Sequence, residues 1–499
     1  MHQALFVSEI LVEIFSHLDP TPSSTPSPPR KSLAALARTC KVFHDPAMDV
    51  LWAYIEGIEP LLGCVRRLHP LIYGSGPKWF GCPWCEGVEP LSAYDARQFL
   101  RHAARVRSLF INFEPSHHYH FHLLSESVFP IETTVFPRLL SLSWMVLPQD
   151  SRHLHLFLSP TLRRCELRTI DPNLEYITTR CAVLERLSFE SSYSLATASD
   201  ISLLSDTIRS CNRLVELCCP LLDSEGFRCL ANLPTLVRLD INGPGVDDLL
   251  DRDVLTLAPF LNLTALSIVL GKPFSVEVEN IIMVIRHSKF PSLKKFKLFT
   301  DDILWEEAEQ LFISLSQCGA SQTLEHVNIY LRDSEARRNP FLVITHFLRF
   351  TQLRYLRLDI GIPIYLDNNL LLEAMSSWPR IESLELLDQE EISGVTFHGL
   401  FAALLLCPRL HTLQVSMDAA NIDIDPKAEL FQHPSLQKLH LCSSPVTDAE
   451  TVAFIIFSRL PRVSEVEYDE YFDASLPVWR QVSRHHRSLK QNAIQGLTV

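Results

Sequence analysis

The chain has 499 residues, 47% of them apolar, and a formal net charge of −13 at neutral pH. That length buries a large apolar core yet exceeds what one compact globule holds, so several units or a repeat array are expected. The charge is spread without an acidic tail and the longest basic runs are dipeptides such as Arg66-Arg67 and Lys294-Lys295, which argues against nucleic acid or an anionic membrane as partner.

At the N-terminus no basic segment precedes an apolar stretch with a small-residue cleavage site, and no apolar run anywhere approaches the roughly 18 residues of a membrane helix. Thirteen cysteines, an odd number at scattered apolar positions, fit reduced thiols rather than a disulfide framework. The expected setting is therefore cytoplasmic or nuclear, and the single sequon, Asn262-Leu263-Thr264, is read as incidental. Ile10, Leu11, Ile14, Phe15 and Leu18 lie on one broad face of a predicted helix. A second helical stretch runs from Ser32 through Leu33, Leu36, Cys40, Val42 and Phe43 to about Leu51-Trp52. Between them Pro20 to Arg30 is proline-rich and polar and reads as a loop. Two or three short helices make a thin core, so part of this apolar surface is expected to meet a partner.

The order and spacing of Glu9-Ile10-Leu11, Ile14-Phe15-Ser16-His17-Leu18, Leu33 and Leu36, Cys40-Lys41-Val42-Phe43 and Leu51-Trp52 resemble the F-box, with Ser8 where that motif carries proline. The resemblance implies a Skp-type adaptor joined to a cullin in an SCF ubiquitin ligase, contacted through Ile10, Leu11, Ile14, Phe15, Leu18, Leu36 and Phe43. Residues 56–104 are expected to form a helical linker and cap. There Pro90-Leu91, Asp95, Phe99 and Arg105-Val106-Arg107-Ser108-Leu109 look like the lead-in to the repeats of fungal F-box proteins.

Three features suggest chemistry. Cys82-Pro83-Trp84-Cys85 has the spacing of half a zinc site or a redox pair, but a partner pair is missing and only Cys64 and His69 are near in sequence. His117, His118, His120 and His122 read as solvated residues of a polar loop. Gly74-Ser75-Gly76-Pro77-Lys78 lacks the further glycine and the Lys-Ser/Thr pair of a phosphate loop and reads as a turn. No metal or cofactor is expected, and the chain is not expected to be an enzyme.

From Val106 onward one pattern recurs: apolar at position 0, apolar at 3, apolar at 5. It starts at Val106, Leu139, Leu162, Leu184, Leu214, Leu236, Leu263, Leu293, Leu324, Leu353, Ile381, Leu410, Leu436 and Val463. The mean period of roughly 27 residues falls within the range of leucine-rich repeats. Position 4 is mostly polar or small, so positions 3 to 5 alternate as a half-buried strand does, and the repeats stack such strands in parallel. Between strands the period becomes helical, as at Val278, Ile281, Ile282 and Ile285, or Ala308, Leu311, Phe312 and Leu315. Thr447 and Glu450 fit a capping box that opens another helix. The pattern resembles leucine-rich repeats from about Val106 to Tyr468. The usual Asn or Cys three residues after the third apolar position is replaced, for instance by Leu147, Pro244 and Asp301, so uneven curvature is expected.

The expected fold is thus α/β: a leucine-rich-repeat solenoid of about 14 irregular repeats over residues 105–470, a parallel sheet with outer helices, preceded by a small all-α module over 1–55 with a flexible loop at 20–31, and closed by a C-terminal cap or tail. The function this implies is a substrate receptor of an SCF-type ligase that holds an unknown protein substrate. The alternatives are a non-catalytic interaction scaffold outside a ligase, and an enzyme using the Cys82 to Cys85 region. Positions 2, 4 and 6 define the concave face, whose charge is mixed. Val269, Phe299, Tyr330, Tyr355 and Arg357 have the composition of an interface hot spot and are the candidate substrate-binding residues. The competing expectation is that a loop or the C-terminal segment around Trp479 covers them.

Overall fold

The structure, a computed structural model, describes residues 7–18, 28–73, 87–112, 120–190, 197–242, 259–270, 275–301, 303–332, 342–361, 364–387, 393–426, 432–441, 444–467 and 476–496. The chain forms two compact units, Met1–Cys219 and Pro220–Val499.

The first unit opens with helices α1 (Ser8–Ser16), α2 (Pro28–Thr39) and α3 (Lys41–Leu51). Strand β1 (Tyr54–Glu56) follows directly, then α4 (Glu59–Leu62), α5 (His69–Tyr73) and α6 (Ala93–Ala103). Strands β2 (Ser108–Ile111), β3 (Ser141–Trp144), β4 (Arg164–Leu167), β5 (Arg186–Phe189) and β6 (Glu216–Cys219) complete it, with α7 (Glu175–Arg180) before β5 and α8 (Ala198–Ser210) before β6. The second unit runs α9 (Ser224–Ala231), β7 (Arg238–Asn242), β8 (Ala265–Leu270), α10 (Ser275–His287), β9 (Lys295–Asp301), α11 (Trp305–Gln317), β10 (His326–Arg332) and β11 (Tyr355–Asp359). It continues α12 (Asn368–Ser377), β12 (Ser383–Leu387), α13 (Phe397–Leu404), β13 (Thr412–Gln414), β14 (Lys438–His440), α14 (Ala449–Arg459), β15 (Val466–Glu467) and α15 (Leu476–Gly496). Within each unit the strands pair in chain order and every described pairing is parallel. The architecture is an α/β solenoid.

The repeat pattern explains this geometry. Each of the fourteen starts leads, two or three residues later, into one of the strands β2 to β15. Positions 0, 3 and 5 point inward: Leu353, Leu356 and Leu358 are fully buried, as are Leu324, Val327 and Ile329 one strand earlier. The intervening residues alternate outward, as the pleat requires. The helical periods at Val278–Ile285 and Ala308–Leu315 become α10 and α11, with all eight of the quoted residues buried. Other connections are tighter. A 3₁₀ turn spans Pro148–Leu156 before β4, and another, Val343–Phe347, precedes β11.

In place of an Asn ladder, the polar residue just ahead of position 0 ties neighbouring repeats together. Thr161 Oγ1 donates to the Leu139 carbonyl at 2.9 Å, Ser292 Oγ to that of Leu261 at 2.6 Å, and Thr323 Oγ1 to that of Leu293 at 2.8 Å. Asn262, the sequon residue, is one of these links, donating to the Pro234 carbonyl at 2.7 Å. These bonds were not anticipated from sequence, although a small polar residue before the first leucine is their signal.

Three local expectations are corrected. Helix α2 starts at Pro28, inside the stretch read as a proline-rich loop; a first-turn proline gives up an N–H that has no helical acceptor. The α14 cap is Asp448, not Thr447: its carboxylate accepts from the Thr451 N–H at 3.1 Å. The sheet also begins earlier than Val106, at β1, which straddles the boundary at residue 55 between the expected all-α module and the expected helical linker. Among the described residues no helix is long and apolar enough to cross a membrane.

At the C-terminal end α15 packs on α14 as a cap. Trp479 is buried there, its Nε1 donating to the Ser444 carbonyl at 2.7 Å, and Ser483 Oγ donates to the Val466 carbonyl at 3.3 Å. His486 is fully buried beside them, and burial, followed by the Lys490 charge, pushes it down to about 4.

Two outcomes are expected. Leu356→Ala should cost roughly 2–5 kcal/mol in chemical denaturation, from lost transfer energy and the cavity left behind. His486 is neutral when folded but takes a proton in the unfolded chain below about 6.5, so its contribution is complete above that pH and is lost as pH falls towards about 4. Wild type should therefore lose more stability than His486→Leu between neutral pH and that range; parallel losses would exonerate the ring.

Candidate functional site

The N-terminal module is a three-helix arrangement around Leu11, Phe15, Leu33, Ala37, Ala47 and Val50, with Leu18, Leu36 and Phe43 half-buried at its margin. Phe43 meets Phe15 edge-on, the ring centroids 5.7 Å apart. The broad apolar face of α1 therefore divides into two stripes. Leu11 and Phe15, one turn apart, face inward. Val7, Ile10 and Ile14, spaced i, i+3, i+7, face outward and are 42%, 39% and 45% exposed. Of the seven residues assigned to adaptor contact, Ile10 and Ile14 are free for docking, Leu18, Leu36 and Phe43 are half available, and Leu11 and Phe15 are core. Val7 was not anticipated as part of the stripe. Helix α1 also lacks a side-chain cap, because Val7 occupies the N-cap position.

The module is joined to the sheet without a separate linker. Helix α3 ends at Leu51, and the Ala53 carbonyl already accepts from the N–H groups of Arg107 and Ser108, at 2.9 and 2.7 Å. Strand β1 then pairs Tyr54 with Ser108 and Ile55 with Leu109. Gly57, at φ +67°, ends the strand in a conformation that favours glycine. The Arg105 guanidinium clamps the junction, donating to Asp45 Oδ1 at 2.7 Å and to the Asp49 carboxylate. Trp52 stacks on His102 at 4.6 Å. Burial, then the charges of Arg101 and Arg105, holds His102 below its usual range, so a neutral ring lies against the indole.

On the outward face of the second unit's strands the register sets the side chains in rows. Val269, Phe299 and Tyr330 are direct neighbours across β8, β9 and β10. The Phe299 and Tyr330 rings stack at 4.4 Å with 5° between their planes. Phe299 is 43% exposed and Val269 36%, while Trp479 lies inside the C-terminal cap. Tyr355 is not beside this pair: it is registered with His326, and Tyr330 with Asp359. Arg357 is engaged with Glu385 at 3.4 Å and Asp359 at 3.9 Å. Burial, followed by the Glu385 charge, raises the Tyr355 phenol, which stays neutral. The structure thus separates the five candidate residues into an apolar row of three and a pair tied to Glu385.

The candidate chemistry is less productive. Cys82, Cys85, His117, His118 and residues 74–78 lie outside the described residues. His120 is buried rather than solvated, and only His122 of that turn is exposed. Among the described residues no group of three or more His, Cys, Asp or Glu is placed to hold a metal. Among the described residues the cysteines form no disulfide. Burial pushes the Cys181 and Cys407 thiols up to about 12 and that of Cys211 to about 11, and raises Cys165 well above its ordinary value, so these thiols are protonated and poor nucleophiles.

The two stripes of α1 separate in a stability measurement. Phe15→Ala should cost roughly 3–5 kcal/mol, enough to unfold so thin a core. Ile14→Glu, on the exposed stripe, should stay within about 0.5 kcal/mol of wild type by thermal denaturation.

A family model described as F-box-like matches residues 8–56, the three helices and β1. No curated protein matches the chain. Among solved structures, an internalin from Listeria monocytogenes superposes with a TM-score of 0.34 and 11% identity, covering 77% of this chain and 87% of that one. The yeast complex of Rad7 and Elc1 superposes with a TM-score of 0.37 and 14% identity, covering 81% and 92%. Residues 8–56 are an F-box-like domain, running directly into the parallel strands of a leucine-rich-repeat-like solenoid.

Proposed function

We propose that this chain is a substrate-recognition subunit of an SCF-type ubiquitin ligase. Its F-box-like domain binds a Skp-type adaptor, which joins it to a cullin, and its repeats hold a protein substrate on their concave face, in the cytoplasm or nucleus. The observation that carries the reading is the outward stripe of Val7, Ile10 and Ile14 on a domain whose core is already closed by Leu11 and Phe15. Covering each of these partly exposed side chains would contribute about 1 kcal/mol. The chain's part in the reaction is positioning: it raises the effective concentration of substrate lysines beside a thioester carried by another protein.

The test is co-purification with adaptor and cullin from cells. Wild type should retain both, and Ile10→Glu with Ile14→Glu should lose both while keeping its helicity and its thermal midpoint. Wild type that captures neither overturns the ligase reading and leaves a scaffold outside a ligase.

A further inference from the structure

We propose that the exposed face of β8 to β10 takes a short acidic segment of the partner protein in which an aromatic or branched apolar side chain serves as anchor. This deepens, and rests on, the reading of the repeats as the substrate-holding part.

The anchor site is the row Val269, Phe299, Tyr330. Two strand spacings make it about 10 Å wide. The parallel stack of Phe299 on Tyr330 fixes both rings before anything binds, so little side-chain freedom is lost on contact. Phe299 is exposed and Tyr330 half-buried beside it, and aromatic residues are enriched at protein interfaces, Tyr among their hot spots.

The charge beside the row is selective. Most basic residues around it have an acidic partner within the fold: Arg238 with Asp240 at 2.7 Å, Lys294 with Glu325 at 3.3 Å, Arg354 with Glu382 at 3.4 Å, and Arg357 with Glu385. Lys295 and Lys297, on β9 below Phe299, are exposed and have no ion-pair partner among the described residues. Their registered neighbours are Ala265 and His326 for Lys295, and Ser267 and Asn328 for Lys297. None carries a negative charge. Two uncompensated ammonium groups therefore lie in line with the anchor row, in a chain of net charge −13.

Spacing defines the ligand further. Lys297 is two residues and Lys295 four residues from Phe299, about 7 and 13 Å along the strand. An extended peptide has the same rise, so acidic side chains at the second and fourth positions from its anchor face the two lysines together. A long polyanion fits poorly, because Asp240 stands two strands from Lys297 in its own row and Asp359 closes the anchor row beside Tyr330. A short acidic segment fits between them.

Displayed short peptides of random sequence are selected on the immobilised full-length chain, and the best is measured by fluorescence anisotropy. Selected sequences should carry Asp or Glu at the second and fourth positions from an aromatic or branched residue. Phe299→Ala with Tyr330→Ala should weaken binding about tenfold or more, and Lys295→Glu with Lys297→Glu should turn the selection towards Lys and Arg. The second pair lies wholly on the surface, so it tests the idea even if the first unfolds. Selection of basic or unbiased peptides, no enrichment, binding indifferent to the lysine reversal, or preferential capture of a single-stranded RNA oligonucleotide would overturn the proposal. Adaptor co-purification is scored on the same preparations. Lost peptide selectivity with adaptor retained counts against this face alone, whereas lost adaptor with selectivity retained counts against the ligase reading.

Discussion

No single repeat in this chain can bury its own apolar residues. Positions 0, 3 and 5 of each strand turn inward, but they are shielded only when the next repeat lies alongside, so every repeat depends on its neighbours. That dependence sets the regular strand order in each unit, the parallel pairing and the near-complete burial of residues such as Leu324, Leu353 and Leu356. It also frees positions 2, 4 and 6. Because the apolar core lies on one side of the sheet, the other side is available for recognition, and rows such as Val269, Phe299 and Tyr330 are not needed to close that core. Hydrogen bonds from Thr161, Asn262, Ser292 and Thr323 to the preceding repeat fasten the stack at its turns, independently of the leucines.

The same stacking rule absorbs the N-terminal domain. Three short helices have a small core of their own, and the chain runs from α3 into β1 with one residue, Ala53, already hydrogen-bonded to the next strand's lead-in. The Arg105 clamp and the Trp52–His102 stack add side-chain contacts to that backbone continuity. In the first unit α1, which presents Ile10 and Ile14, packs on α3, and α3 runs on into the sheet's first strand. A docking surface tethered by a flexible linker would sample many orientations; one built onto a strand does not.

Much of this was legible in the sequence. The fourteen repeat starts located β2 to β15 because apolar, polar, apolar at period two is imposed by the pleat itself. Strand β1 escaped because its fifth position is Gly57, which supplies a turn instead of an apolar contact, so Trp52 and Ile55 alone did not complete the pattern. On α1, periodicity identified one apolar face but not its two halves. Ile10 and Ile14 repeat with the same spacing as Leu11 and Phe15, and only the positions of α2 and α3 decide which pair is covered. The exposed row was found from register. Its charge was not, since the isolation of Lys295 and Lys297 depends on which carboxylates the other basic residues reach.

The buried thiols have a practical corollary. Cys165, Cys181 and Cys211 lie in the first unit, Cys318 and Cys407 in the second, all shielded and held protonated by burial. An alkylating reagent at neutral pH meets these sulfurs as reactive thiolates only when the surrounding repeats part. Their labelling rates are therefore a clock for local opening, read separately for each unit from the peptides that gain mass, and the chain carries built-in probes of which part of the solenoid breathes first.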